Sequence, residues 1–326
     1  MRWEGLRTRT FDTPDFAGMT FYEIEAKSII NRVPAQSRVP FQWTINPYRG
    51  CSHACRYCFA RNTHTYLDLD AGRDFDTQVV VKVNAGSVLR RELAAPRWAG
   101  GHVAMGTNVD CYQRAEGRYR LMPGILAALR DFANPFSILT KGTLILRDFD
   151  LLRQAAEVTS VGLSFSVGFV DEALWRSVEP GTPAPRRRLA AVRRLTDAGF
   201  AVGVLMAPIL PGLTDDDQSI EDTVAAIAES GAVSATPLPL HLRPGAREWY
   251  LAWLHRTRPD LVPRYRELFA SGSYSPKEYQ RELTDRIRAA ARRHGIGAPP
   301  AQAHRQPAAP AFSPAPGQRA VQLTLL

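Results

Sequence analysis

What most constrains this chain is a rhythm of short apolar runs and amphipathic segments. From Phe41 onward the candidate strands are Phe41–Asn46, His102–Thr107, Phe136–Thr140, Ser160–Val167, Ala201–Ile209 and Ala232–Leu240. Between them lie the helical patterns SVLRREL, LMPGILAALRDF, RDFDLLRQAAEV, RRRLAAVRRLTDAG and DDQSIEDTVAAIAESG. Strand–helix alternation repeated this way predicts a parallel sheet built by crossover connections. Several runs, such as AVGVLMAPI, are continuously apolar rather than alternating, as strands covered on both faces should be. The expected fold is α/β: an open, partial (β/α)6 version of the TIM-type barrel. Sites in such barrels lie at the carboxyl ends of the strands.

The flanks differ in character. Residues 1–40 mix charges with Pro14, Pro34 and Pro40 and are expected to be an N-terminal extension draped on a core spanning 41–243. Residues 244–297 predict a C-terminal helical region. Residues 298–326 are Pro/Ala-rich, are expected to be disordered, and end in the apolar AVQLTLL. No signal-peptide layout is visible, and the longest apolar run, Phe200–Leu210, is too short for a bilayer and contains Pro208. A cytoplasmic protein without membrane association is expected. The net charge of +9 is carried almost wholly by arginine, the lysines being Lys27, Lys82, Lys141 and Lys277. It suits an acidic partner, either nucleic acid or an electron carrier, or else reflects codon bias.

The chemistry concentrates in NPYRGCSHACRYCFAR, Asn46 to Arg61, which holds three of the four cysteines. Cysteines so crowded argue for metal binding rather than disulfides. The spacing Cys51-x-x-x-Cys55-x-x-Cys58 lets three thiolates converge from one loop. A structural zinc wants four protein ligands, which here would require Cys111 or His53. A soft three-thiolate set suits a [4Fe–4S] cluster with one iron left open, and an open iron can chelate the amino and carboxylate groups of S-adenosylmethionine (SAM).

The three-cysteine spacing followed by an aromatic residue resembles the signature of the radical SAM superfamily. Together with TNVDCYQRAE, ILTKG with RDFDLL, SVEPGTPAP with RRRLAAVRRLTDAGF, and APILPGLTD, it looks like the spore photoproduct lyase-like branch, often labelled DNA repair photolyases. The match runs from Gln42 to Arg243. The resemblance implies a radical SAM enzyme that cleaves SAM reductively to a 5′-deoxyadenosyl radical for hydrogen abstraction. It implies Cys51, Cys55 and Cys58 as cluster ligands and Tyr57 over the adenine. It also implies Thr107 and Asp110 near the methionine portion, Lys141 at the SAM carboxylate and Ser166 at the ribose or methionine portion, with Ser164 on the same face. Ala207 and Pro208 would bring backbone to the adenine. Arg188 is expected to contact SAM, and Glu179 to form a structural ion pair.

Two positions depart from the pattern. Spore photoproduct lyases return hydrogen from a cysteine after the second strand, relayed by a tyrosine after the last cluster cysteine. The matching positions here are Gly106 and Phe59, with Cys111 nearby as a displaced hydrogen donor or a buried thiol. This argues against spore photoproduct repair itself while leaving the initiating radical chemistry intact, with nucleic acid as the leading candidate substrate. The alternatives are a small molecule or peptide substrate, or a nucleic-acid-binding protein with a structural metal. Arg49, Arg56 and Arg61 could dock a flavodoxin or ferredoxin or balance the cluster charge. The terminal Gln322–Leu326 resembles the peptide that binds the bacterial sliding clamp, or it forms a strand folding back on the domain.

Overall fold

The computed structural model describes residues 6–297 other than 35 and 38. The first forty residues contain β1 (Arg7–Arg9), β2 (Thr20–Ile24) and β3 (Ile30–Arg32). Next come β4 (Trp43–Ile45), β5 (Tyr48–Arg49), a 3-10 segment Phe59–Leu67, α1 (Arg73–Thr77), β6 (Gln78–Lys82) and α2 (Ala85–Leu93). Then follow β7 (Val103–Met105), α3 (Arg114–Tyr119), α4 (Leu121–Asp131), β8 (Phe136–Thr140), α5 (Phe149–Val158) and β9 (Val161–Ser166). The last units are α6 (Glu172–Val178), α7 (Pro185–Asp197), β10 (Val202–Ile209), α8 (Asp217–Glu229) and β11 (Ser234–Pro239). Helices α9 (Ala246–Thr257), α10 (Val262–Leu268) and α11 (Lys277–Arg293) complete the described chain.

Strands β4, β7, β8, β9, β10 and β11 pair in parallel and in chain order, each expected strand appearing at its expected place. The antiparallel β3 extends the β4 edge to a 7-stranded sheet of order β11-β10-β9-β8-β7-β4-β3. The sheet is open: among the described residues β11 and β4 are not joined. This is the partial (β/α)6 barrel. Local sequence fixes its helix starts, since the Asp171 and Asp216 carboxylates accept the Leu174 and Ser219 N–H groups at the heads of α6 and α8.

The extension is more ordered than its composition suggests. β2 pairs in parallel with β6, while β1 and β5 flank them antiparallel, making a second, 4-stranded sheet. β6 lies inside the first crossover, between β4 and β7, so the barrel rhythm passes over its β-branched run Val79–Val81. The tail and its Gln322–Leu326 motif lie outside the described residues. Among the described residues no helix is long and apolar enough to cross a membrane.

The loop carrying the three cysteines sits where two apolar clusters meet. Cys51 packs with Phe21, Tyr48 and Val81 of the small sheet and Phe75 of α1. Cys55 and Tyr57 pack with Leu210, Leu242 and Tyr250, against the C-terminal helices, and Cys58 touches both groups. The main core packs Ile45, Met105, Ile138, Leu163 and Val204 of the strands against the helices that cover the sheet, such as Leu126 of α4, Val192 of α7 and Ile287 of α11.

One buried carboxylate joins these parts. Glu116 is fully buried and accepts from Tyr48 Oη at 2.5 Å and Arg147 Nη2 at 2.5 Å. It also caps α4, accepting the Leu121 and Met122 N–H groups at 3.0 and 3.1 Å. Burial pushes its carboxyl up from the usual range, against the hydrogen bonds from Tyr48 and Arg147 that pull it down. Glu116→Ala would strand the Tyr48 hydroxyl and the Leu121 and Met122 N–H groups and leave Arg147 only Asp148 as its anion, and chemical denaturation should show a loss of about 3 kcal/mol or more. A loss below about 1 kcal/mol would contradict this role.

Candidate active site

The cysteine loop is built from consecutive tight turns. Cys51 N–H donates to Phe75 O at 2.9 Å, anchoring the loop to α1. Ala54 N–H then returns to Cys51 O, Cys58 N–H to Cys55 O and Arg61 N–H to Cys58 O, at 3.2, 3.2 and 3.4 Å. Gln113, fully buried, brackets the first cysteine: its Oε1 accepts Ser52 N–H and its Nε2 donates to Gly50 O, both at 2.9 Å. Nothing in the sequence singled out Gln113.

Arg61 is the second organiser. Its guanidinium is fully buried between the rings of Phe75, at 5.2 Å, and Trp249, at 4.9 Å. It donates to Cys55 O, Ala71 O, Gly72 O and Asp76. Of the three arginines considered for docking a partner, Arg61 is therefore internal scaffolding. Arg56 is partly exposed and lies 3.9 Å from Asp76, and Arg49 is exposed.

Burial and nearby negative groups oppose thiolate at these sulfurs, while peptide N–H groups and cations favour it. Burial pushes all three loop thiols up; Asp110 and then Cys58 and Cys55 push Cys51 further, and Glu179 pushes Cys55 further. Working against burial, the His53 and Ala60 N–H groups face Cys51 and Cys58, while Arg61 and Lys141 lower Cys58 and Lys141 and Arg188 lower Cys55. Peptide N–H groups and cations around clustered sulfurs suit iron–sulfur ligation, where deprotonated sulfur is required. Among the described residues no three His, Cys, Asp or Glu side chains converge on one metal ion. His53 instead sits 3.4 Å from Asp110, with burial lowering its pKa to about 4.

Facing the loop, at the carboxyl ends of β8, β9 and β10, is a second constellation. Lys141 Nζ reaches Ser166 Oγ and Ala207 O, the latter at 3.4 Å, and lies 3.7 Å from Glu179 Oε1. Ser166 Oγ donates to Ala207 O at 2.8 Å. Tyr57, from the cysteine loop, donates its hydroxyl to Glu179, and Lys141 Nζ sits 5.8 Å from its ring centre. The structure thus brings Tyr57, Lys141, Ser166 and Ala207 together. Thr107 is half-buried in the loop after β7 and stands outside this network.

Asp110 and Arg188 are present but internally engaged. The Asp110 carboxylate accepts from Thr140 Oγ1, Lys141 N–H and Tyr112 N–H at 2.7, 2.6 and 2.8 Å, clamping the β7 loop to the end of β8. Arg188 is fully buried and donates to Pro183 O, Ser166 O, Thr182 Oγ1 and the Glu179 carboxylate. Burial would raise Glu179, but Arg188, then Lys141 and the Tyr57 hydrogen bond, overcome it and hold the carboxyl at about 2. Gly181 lets this segment close on the loop: a Cβ there would lie 2.0 Å from Ser52 O.

Cys111 is not brought to this group. Its thiol is fully buried in the main core, and burial, with Asp110 and Glu116 nearby, pushes its pKa up. Gly106 has φ +76, and a Cβ there would lie 1.8 Å from Leu139 O. That position has no room for a thiol without moving β8.

With this geometry in place, comparison with known proteins assigns the family. The chain belongs to the radical SAM superfamily, whose model matches residues 45–224. An uncharacterized protein of Mycobacterium tuberculosis (strain ATCC 25618 / H37Rv) is 50% identical over 279 residues, covering 86% of this chain and 82% of that protein. One from Methanocaldococcus jannaschii is 29% identical over 202 residues, covering 62% and 72% respectively. Spore photoproduct lyase complexed with dinucleoside spore photoproduct aligns with TM-score 0.64 at 17% identity, over 85% of this chain and 80% of that one. A variant of that lyase with bound AdoMet and dinucleoside spore photoproduct aligns at 0.61 and 18%, over 80% and 76%. These structures share the fold. The protein is an enzyme of radical SAM type, and its cofactors are a [4Fe–4S] cluster and SAM.

Two outcomes test the geometry. Glu179→Gln should cost about 3–5 kcal/mol by removing the shared anion of a buried pair. Because Glu179 is depressed on folding, its contribution is present above the unfolded carboxyl value and fades as pH falls through about 2. The gap between wild type and Glu179→Gln in urea unfolding should therefore narrow on acidification, and a pH-independent gap would refute the assignment. Gly106→Cys should lower the thermal midpoint by several degrees rather than install a working donor, and an unchanged midpoint would show that β8 yields.

Proposed function

We propose that this enzyme abstracts hydrogen from a nucleic-acid substrate in a repair- or modification-type reaction distinct from spore photoproduct cleavage. The observation that carries the site assignment is the Lys141–Ser166–Ala207–Glu179–Tyr57 constellation set against the three-thiol loop. Cys51, Cys55 and Cys58 would hold the cluster, leaving one iron for SAM. When bound, these cofactors supply a one-electron cleavage whose 5′-deoxyadenosyl fragment abstracts hydrogen from the substrate.

Each side chain then has a defined task. Lys141 offers a cation for the methionine carboxylate through a charge-assisted hydrogen bond. Ser166 Oγ and Ala207 O present a donor and an acceptor to the polar parts of the ligand. Tyr57 supplies a ring face beside the adenine, held by its bond to Glu179. Arg188 and Asp110 are positioning residues, the first fixing Glu179 and the second fixing the backbone at Lys141. The surrounding apolar cores exclude water, which protects a reactive fragment from quenching.

Nucleic acid is supported by the net charge of +9 and by the fold likeness to a lyase seen with a dinucleoside photoproduct. Phe59 and the closed space at Gly106 argue for a different fate of the substrate radical. An acidic one-electron carrier of flavodoxin or ferredoxin type would reduce the cluster, with Arg49 and Arg56 on the outward side of the loop.

The test is anaerobic reconstitution. Wild type should be brown, hold about four irons per chain and release 5′-deoxyadenosine from SAM with dithionite, whereas Cys55→Ala should do none of the three. Lys141→Ala should keep the cluster but weaken SAM binding about 10–100-fold. Deuterium moving from base-labelled DNA or RNA into 5′-deoxyadenosine would support the nucleic-acid substrate. Transfer only from a peptide or small molecule would overturn it.

A further inference from the structure

From the residue after Cys58 to solvent runs a stack of rings with no task in the chemistry above. The Phe59 ring centre lies 5.5 Å from that of His241, with the planes 36° apart. His241 in turn stacks on Tyr274 at 5.5 Å and 23°. The Arg243 guanidinium sits over Phe59 at 5.4 Å. His241 and Arg243 follow β11, at the carboxyl end of the barrel, so the stack borders the mouth.

The outer ring is exposed but not loosely held. Tyr274 is 57% exposed, yet its backbone forms an antiparallel bridge with His241. Leu242 N–H donates to Ser273 O at 2.8 Å, and Arg247 bonds Gly272 O, so two further links clamp the Tyr274 segment. Burial, helped by Arg243, lowers the His241 pKa, which keeps this imidazole neutral near pH 7. A fixed aromatic ring is thus presented to water, while the exposed Arg243, two residues after His241, covers Phe59 at the inner end of the stack.

The occupant that matches both features combines a planar face with negative charge along the same chain. An unpaired nucleotide offers that pair, with its base for the ring and its phosphate for Arg243. Duplex nucleic acid hides its base faces in its own stack, so a single strand or an extruded base is required. We propose that Tyr274 and His241, with Arg243 beside them, form a stacking platform that seats an unpaired base of single-stranded nucleic acid at the barrel mouth. This rests on the nucleic-acid part of the proposed function and adds which form of nucleic acid is bound and by which residues.

The test uses the full, reconstituted chain and a fluorescein-labelled oligothymidylate, with fluorescence anisotropy reading affinity at fixed salt. A duplex of the same length is the comparison. Wild type should bind the single strand more tightly than the duplex. Tyr274→Ala should weaken single-strand binding about tenfold while Tyr274→Phe, which keeps the ring, stays within about twofold. Arg243→Ala should weaken binding and reduce the dependence of log affinity on log salt by about one. Equal binding of single strand and duplex, Tyr274→Ala binding like wild type, or Tyr274→Phe failing alongside Tyr274→Ala would each overturn the platform. The Phe variant doubles as the folding control. Wild type that releases 5′-deoxyadenosine but shows no single-strand preference overturns the platform alone. Wild type that prefers the single strand but cleaves no SAM overturns the radical assignment of the site and leaves the platform standing.

Discussion

The Glu179 carboxylate, buried completely and shared among Tyr57, Lys141, Arg188 and Thr182, is the interaction on which the rest of the site depends. These partners come from separate parts of the fold: the cysteine loop, the end of β8, the head of α7 and the turn before it. An unpaired carboxylate in so dry a place would take up a proton, because removing it from water costs several kcal/mol. Two cations and a phenol offset that cost, and the resulting low pKa keeps the anion in place. Lys141 is thereby held beside Ser166 and Ala207, where a zwitterionic amino acid moiety would meet a cation, a hydroxyl and a carbonyl.

A parallel logic runs on the other side of the loop. There a cation rather than an anion is buried, with Arg61 bonded to Cys55 O and Asp76 and sandwiched between Phe75 and Trp249. The loop is therefore gripped from within the barrel by Glu179 through Tyr57 and from outside by Arg61 through a ligand-position carbonyl. Three thiols crowded into eight residues would otherwise form a floppy, oxidation-prone segment. Preorganisation of this kind lets the entropy of ordering be met by folding rather than by cofactor binding.

The sequence disclosed the barrel readily, because continuously apolar runs separated by amphipathic helices admit few other folds. It also disclosed the cysteine triplet and, through the resemblance, Tyr57, Lys141, Ser166 and Ala207, whose convergence the structure displays. What it hid depends on partners distant in sequence. The small sheet was illegible because β2 finds its parallel partner in β6 only after the cysteine loop has been traversed. Arg61 read as a docking or charge-balancing residue, and its burial was illegible because it is decided by Trp249, on the C-terminal helix α9. For Arg188, expected to contact SAM, the internal bonds to Glu179, Thr182 and the carbonyls of Pro183 and Ser166 were not legible in the sequence. Gly106 looked like a missing donor; the carbonyl of Leu139 shows it to be a position where backbone closeness forbids a side chain.

The central claim is that thiol loop and Glu179-held constellation form one binding site for one small molecule at an open cluster corner. Its most direct measurement is the electron paramagnetic resonance spectrum of the anaerobically reconstituted, reduced protein, recorded with and without SAM. The account predicts a [4Fe–4S]+ signal whose g-values shift on adding SAM in wild type, and whose shift needs far higher SAM in Lys141→Ala. A cluster signal indifferent to saturating SAM, or a metal fully ligated by protein, would contradict it.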